Sequence, residues 1–251
     1  FQYILKRILQ AIPLLLVISF IVFSLIHLAP YDVIDSMTTP NMSQAQIDLL
    51  RERYGLNEPF LVQYFVWLKN ILTGDLGYSL VTQKSIAQEM LVRIPNTIRL
   101  VLPAYVTALV IAITLGLLAG ANKGKFLARL IDAIASIRIA VPTSWFAMIL
   151  IHFSGYRLNR FSIGMHTVGK EGDLADYFNH FILPYITLTV AFFPELTRYI
   201  RSSTMQQVSE DYVTVQRAFH ASNWQIFSRQ ISRNVLIPIV TQIGLALPML
   251  V

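Results

Sequence analysis

The side chains able to do chemistry are few in this 251-residue chain, and their spacing does not favour catalysis. Cysteine is absent, which excludes thiolate nucleophiles, disulfides and Cys-based metal sites. The histidines are His27, His152, His166, His180 and His220; they form no HExxH and no close pair at helical spacing. His166, in Gly164-Met165-His166-Thr167, reads as a loop histidine rather than a metal ligand. No Ser/His/Asp order stands out. The nearest approach to a phosphate-binding loop is Gly120-Ala121-Asn122-Lys123-Gly124-Lys125-Phe126. Its glycines stand one residue too close, and Phe126 occupies the place of the magnesium-binding Ser/Thr. It reads as a turn. If ATP drives this protein, another chain binds it.

The remaining chemical candidates are charges inside apolar runs, where burial in lipid costs several kcal/mol. Arg138 lies deepest and should face a helix interface or a water-filled path. Glu195 stands three residues before Arg198 and can pair with it along one helix face. Asp132 and Arg99 lie near run ends and can reach the interface, since long polar side chains snorkel. The prolines Pro103, Pro142, Pro184 and Pro194 each remove a helical hydrogen bond, which a helical bundle tolerates.

The elements that must hold these residues are membrane helices. Apolar residues make up 55% of the chain and charged residues 14%, well below the ~25% of a soluble domain; mean hydropathy is +0.55. A span needs about 20 mostly apolar residues. Five runs qualify or nearly do: 8–29, 98–121, 131–153, 181–200 and 234–251. The first is too long for a cleaved signal segment and reads as a retained span. The net charge of +6 is distributed between runs, so it reports topology rather than nucleic-acid binding. Lys6, Arg7, Lys123, Lys125, Arg129, Arg198, Arg201, Arg217, Arg229 and Arg233 fall in one set of connections, against the acids Glu210 and Asp211. The opposite set, 31–97 and 154–180, has as many acids as cations or more. The basic set is therefore placed inside, the N-terminus with it. Five spans leave the last run facing outward, and a sixth, closing span is expected beyond Val251.

In the outer segment 31–97, Ser43 reads as a helix cap. Leu61, Tyr64, Phe65 and Leu68 mark an amphipathic helix on the membrane face or on the other spans. Gly74-Asp75-Leu76-Gly77 reads as a turn. Asn41-Met42-Ser43 matches a glycosylation sequon, a pattern frequent by chance.

The inner segment 198–233 is too polar to span and too patterned for a linker. Ser209-Glu210-Asp211 puts a cap and two acids at a helix start. Tyr212, Val215 and Phe219 then share one face. Ser222-Asn223-Trp224-Gln225 is a capping box opening a second helix, with Trp224, Phe227 and Ile231 on one side and Arg229 and Arg233 on the other. The short first helix is either a surface helix on lipid headgroups or a knob for a groove on a soluble partner.

This segment resembles the EAA loop of ATP-binding-cassette importer permeases, through Asp211-Tyr212-Val213, Arg217-Ala218, Ala221-Ser222 and Ile237-Pro238. Further blocks are similar to the oligopeptide, dipeptide and nickel branch: Tyr3-Ile4-Leu5-Lys6-Arg7, Ile12-Pro13, Leu28-Ala29-Pro30, Tyr54-Gly55-Leu56-Asn57-Glu58-Pro59, Gln63-Tyr64, Gly74-Asp75-Leu76-Gly77-Tyr78-Ser79, Arg93-Ile94-Pro95-Asn96-Thr97 and Pro142-Thr143-Ser144-Trp145-Phe146. One departure is His220, where the loop motif usually has the glycine that permits its turn.

The resemblance implies an all-α, polytopic membrane bundle like that of type I importer permeases. It implies a translocation subunit that is not itself an enzyme and holds no cofactor, ATP and Mg being bound by partners. Those partners would be a second permease, commonly an unlike subunit, two ATPase chains and an outside substrate-binding protein; no nucleic acid is implied. The setting is the bacterial or archaeal plasma membrane. The ATPase-coupling residues would be Glu210, Asp211, Tyr212, Val215, Arg217, Ala218, Phe219 and His220. The pathway candidates are Arg138, Trp145 and Glu195. Cargo is read as oligopeptides or dipeptides, with nickel or a metal chelate as the alternative within the family. A membrane scaffold or sensor, or an ion-coupled carrier, are the alternatives from other classes.

Overall fold

The computed structural model describes residues 2–29, 42–53, 55–79, 82, 84–158, 161 and 173–246. Asn41, His166 and the end of the last apolar run, residues 247–251, lie outside them. The described residues are helical almost throughout and divide into two compact units, Phe1–Arg93 and Ile94–Val251.

The first unit opens with α1, Gln2–His27, which is apolar on all sides and has no buried residue. Helix α2, Gln44–Arg53, starts directly after Ser43 as its cap predicts, and the Ser43 amide donates to Gln46 Oε1 at 2.9 Å. Helix α3, Phe60–Leu72, packs along α1. Rings of Phe20, Phe23 and His27 meet Phe60, Tyr64 and Trp67 with centroids 5.0–5.7 Å apart, close enough for edge-to-face attraction. Tyr64 is 5% exposed, and its hydroxyl bonds Ser19 Oγ at 2.9 Å. The seam of α3 is thus Phe60, Tyr64 and Trp67. Of the expected stripe, only Tyr64 is buried, while Leu61 and Phe65 stay exposed, because the aromatic rings of α1 select aromatic partners. The 74–77 turn forms as expected: Gly74 and Gly77 have positive φ, and Asp75 Oδ1 accepts from the Gly77 amide.

The unit boundary falls inside α4, Ile86–Ala121, which begins well before the apolar run that marked it in the sequence. Its 36 residues are about 54 Å long, more than the ~30 Å hydrocarbon core requires. The second unit is organised on the buried face of α4. Ala104, Ala108, Ala112, Gly116 and Gly120 recur every fourth residue and are all buried. Against this ladder lies α7, Leu174–Val208, running parallel to it. A Cβ at Gly116 would sit 2.7 Å from the Ile200 side chain, and one at Gly120 would overlap Thr204. Small residues let the two backbones approach closely, as in membrane bundles generally. The hydroxyls of Thr197 and Thr204 bond back to the carbonyls of Phe193 and Ile200 one turn earlier, so they can be buried without an unpaired donor. Thr107 Oγ1 of α4 and Tyr185 Oη of α7 also lie 2.6 Å apart.

The third expected span is broken. Helix α5, Phe126–Ala140, and helix α6, Thr143–Leu150 with its π-helical continuation Ile151–Arg157, meet at 95°. Pro142 (φ −56°, ψ 139°) and the extended Val141 before it form the elbow. A residue preceding proline is driven out of the helical region, so the corner is built into the pair. By contrast Pro95 and Pro103 in α4, and Pro184 and Pro194 in α7, sit within continuous helix. Helices α5, α6 and α10 all pack on α7. By length and apolarity alone, among the described residues α1 and α4 can each cross a membrane, and the bent α5–α6 pair makes a third.

After α7 come α8, Asp211–Ala218, then α9, Asn223–Ile226, which runs through the π-helical Phe227–Ile231 into α10, Ser232–Ala246.

Candidate functional site

The loop from α7 to α10 is fixed to the bundle by its own apolar residues. Val213 of α8 is 1% exposed and joins Ala112, Ile200, Ile226, Ile231, Val235 and Ile239 in one buried cluster. Elements α4, α7, α8, α9 and α10 thus share a core. Tyr212 is half-buried against that cluster, and its hydroxyl donates to Gln207 Oε1 at 3.0 Å. The anchoring side chain is therefore Val213, and of the expected exposed face of Tyr212, Val215 and Phe219 only Tyr212 is drawn in against the core. Val215 and Phe219 point outward, with Phe219 80% exposed, and Asp211, Arg217, Ala218 and His220 are exposed too. Trp224 was expected on one side of the second helix with Phe227 and Ile231, of which Ile231 is buried. Trp224 itself is 73% exposed, and Ile226 is buried as well.

The caps explain the shape of the knob. Ser209 closes α7 rather than opening α8: its hydroxyl bonds back to the Met205 carbonyl at 3.0 Å and its backbone stays helical. Glu210, extended at φ −74° and ψ 150°, is the N-cap residue, and its carbonyl accepts from the Val213 amide. Asp211 in the first turn and Arg217 in the last both complement the helix dipole. The far end is closed by His220, whose φ of 57° lies in the left-handed region and makes it the sole non-glycine with positive φ among the described residues. The His220 amide donates to the Arg217 carbonyl and the Ala221 amide to the Gln216 carbonyl, the paired bonds of a Schellman turn. The glycine-type turn is thus kept with histidine in the glycine's place. The capping box then opens α9: Ser222 Oγ accepts from the Gln225 amide at 3.2 Å, and Gln225 Oε1 accepts from the Ser222 amide at 3.1 Å.

A cavity of about 470 Å³ opens beside the shared core. Phe192, Glu195, Leu196 and Tyr199 line it from one face of α7, Tyr105 from α4, and Gln242, Leu245 and Ala246 from α10. Tyr105 meets Phe192 edge-on at 5.5 Å. The Tyr105 hydroxyl is buried and has no hydrogen-bond partner among the described residues.

Of the pathway candidates, Glu195 borders this cavity, and Arg138 and Trp145 are absent from its lining. Arg138 works at the elbow. One guanidinium nitrogen donates to the Val141 carbonyl at 2.7 Å and another to Thr143 Oγ1 at 3.1 Å, while the group lies 5.2 Å from the Phe146 ring centroid. It ties the last turn of α5 to the first turn of α6. Trp145 is exposed on α6. The expected Glu195–Arg198 pair does not form among the described residues. The ion pair that does form joins Arg201 of α7 to Asp132 of α5 at 2.8 Å, so Asp132 finds a protein partner rather than the interface. Arg99 is exposed on α4. The sequence reading passed over the small-residue ladder of α4, although its spacing of four was there to be counted. It also passed over Val213, for which no local pattern distinguishes anchor from exposed face.

Residues 112–251 match a family described as binding-protein-dependent transport system inner membrane component, and residues 1–101 match the corresponding N-terminal family. The oligopeptide transport system permease protein AppB of Bacillus subtilis is 35% identical over 248 residues, covering 98% of this chain and 78% of that protein. The glutathione transport system permease protein GsiC of Escherichia coli is 32% identical over 244 residues, covering 97% of this chain and 77% of that protein.

Proposed function

Because this chain belongs to the binding-protein-dependent transport system inner membrane component family, we propose that it forms half of the translocation pathway of an ATP-driven importer of oligopeptides or dipeptides. It is a multi-pass permease subunit of an ABC importer in the plasma membrane, and ATP hydrolysis sits in partner subunits. The assembly also takes a second permease, in this reading an unlike subunit, two ATPase chains and an outside delivery protein. The peptide reading is supported by AppB and GsiC, which are named for oligopeptide and glutathione transport. The N-terminus lies inside and the 31–97 segment outside, on the distribution of lysine and arginine.

Helix α8 is the coupling element. The observation that carries this is the division of its surface: Val213 is locked into the core of α4, α7 and α10, while Phe219 and Val215 on the same short helix are left uncovered. A helix held this way transmits displacement, because packed cores shift as units rather than deform continuously. Phe219 and Val215 insert into a groove on the ATPase, with Glu210, Asp211, Arg217, Ala218 and His220 around them and Tyr212 bracing the base. Glu195 lines the pathway; Arg138 and Trp145 shape the α5–α6 elbow beside it.

The test is transport by the complete importer in proteoliposomes. Phe219→Ala should lower ATP-driven peptide uptake at least about tenfold, since a desolvated aromatic anchor is worth roughly 2 kcal/mol or more. The subunit should remain in the membrane, with its ATPase partners released more readily. Unchanged uptake and unchanged ATPase retention would remove α8 from the coupling path. The ligand recovered with the delivery protein separates peptide cargo from nickel or a metal chelate.

A further inference from the structure

The cavity between α4, α7 and α10 combines aromatic, apolar and acidic side chains. Its wall is mostly apolar, three of its side chains are aromatic rings, and it contains one carboxylate, Glu195. No cation pairs with Glu195 among the described residues, although Arg198 stands one turn away. A carboxylate within a membrane helix is costly unless a water-filled cavity or a counter-charge compensates it. The second signal is independent of the first. Tyr105, which also lines the cavity, is 5% exposed, and its buried hydroxyl has no hydrogen-bond partner among the described residues. A buried hydroxyl without a partner costs ~1–3 kcal/mol. Gln242 adds an amide from the opposite helix.

A carboxylate that shares a cavity wall with Tyr105, Phe192 and Tyr199 suits an organic ammonium group. The rings attract the cation through their faces, and the carboxylate neutralises it. The phenol and the amide can bond a neighbouring carbonyl. A hydrated metal ion fits less well, since the hard oxygen set it needs is limited here to one carboxylate, one amide and two phenols. We propose that this cavity is a transit site for the primary ammonium group at a peptide's N-terminus, with Glu195 as its counter-ion and Tyr105 as the donor to the first peptide carbonyl. The proposal rests on the peptide-import reading above and adds a chemical preference inside the permease itself, separate from selection by the delivery protein.

The chain's lack of cysteine makes the test direct. Leu245→Cys places a single thiol in the cavity wall of the assembled importer. Two methanethiosulfonate reagents are compared, one carrying a trimethylammonium group and one a sulfonate. With Glu195 present, the cationic reagent should react at least about tenfold faster, as expected for a cleft lined by one sign of charge. Glu195→Gln should abolish that preference, and Glu195→Asp should retain it. Trialanine should slow labelling, and N-acetyl-trialanine at the same concentration should not. Equal rates for the two reagents would overturn the proposal. So would a preference that survives Glu195→Gln, equal protection by both peptides, or a thiol that neither reagent reaches because another chain fills the space. If Leu245→Cys does not assemble, Ala246→Cys provides the same readout. Uptake of trialanine by the unmodified importer is measured alongside. Its absence, with the charge preference intact, defeats the peptide-import reading while leaving the cation site standing.

Discussion

Helices α1 and α4 are both long and apolar enough to cross a membrane, yet they meet their surroundings in opposite ways. No residue of α1 is buried, and its leucines, isoleucines and valines stand exposed along its length. Helix α4 buries Ala104, Ala108, Ala112, Gly116 and Gly120 in a single row. Within the bilayer, lipid tails are as apolar as leucine, so a large apolar side chain gains little by leaving lipid for protein. A row of small residues gains backbone proximity, dispersion contacts and a fixed partner. Apolarity takes a helix into the membrane; the shape of one face decides whether it packs there.

The comparison breaks most readily at the glycines. Gly120→Leu forces a branched side chain into Thr204 and the neighbouring carbonyl of Arg201. Overpacking of this kind costs about 1–3 kcal/mol and often more where backbone must move. The expected result is loss of a monodisperse subunit in detergent; a normal thermal unfolding profile would show that the α4–α7 contact is not close. Next in size is Val213→Ala, which hollows the shared core beneath α8. It should cost about 2 kcal/mol in thermal unfolding and cut uptake in proportion. His220→Gly should act in the opposite direction, raising stability by roughly 1 kcal/mol, because glycine holds a left-handed backbone without the Cβ penalty. A loss of stability there would mean the imidazole makes a contact that outweighs that penalty. The smallest effect belongs to α1. Leu15→Ala should change the stability of the isolated subunit by less than about 0.5 kcal/mol. If it instead weakens assembly with the second permease, α1 is an interface helix, and the contrast with α4 is one of partner rather than of packing.

Much of this architecture was legible in the residues. The long apolar runs located α1 and α4, and the sequence at Ser222 and Gln225 announced a reciprocal cap that forms bond for bond. His220 reads as a departure from the motif's glycine that could alter the turn, and the backbone keeps the glycine-type turn with histidine in place. These are local signals, each set by a few adjacent residues. What escaped was set by tertiary partners. Pro142 looked like Pro103, Pro184 and Pro194, yet of these it alone turns a corner, with Val141 extended before it and Arg138 bridging the two arms. Asp132 and Arg201 lie far apart in sequence, and only the packing of α5 on α7 makes them a pair. Ser209 could cap either of two helices, and its bond to Met205 assigns it to the earlier one. The face of Tyr212, Val215 and Phe219 reads as free in the sequence, and Val215 and Phe219 are exposed; that Val213 is buried and Tyr212 half-buried is set by tertiary packing, since periodicity fixes a face only loosely over the eight residues of α8.

Helix α7 runs unbroken from Leu174 to Val208, so the contact at Thr204 and the start of the knob at Glu210 are separated by a fixed number of residues. In a helix each residue advances the azimuth by about 100°. That residue count is therefore an angular setting, like the keying of a shaft. One residue inserted after Thr204 would swing the knob by more than a quarter turn, while seven would return it nearly to its original bearing about 10 Å further out. Length variation among such subunits should accordingly be shunned over these few positions and collect elsewhere in the chain.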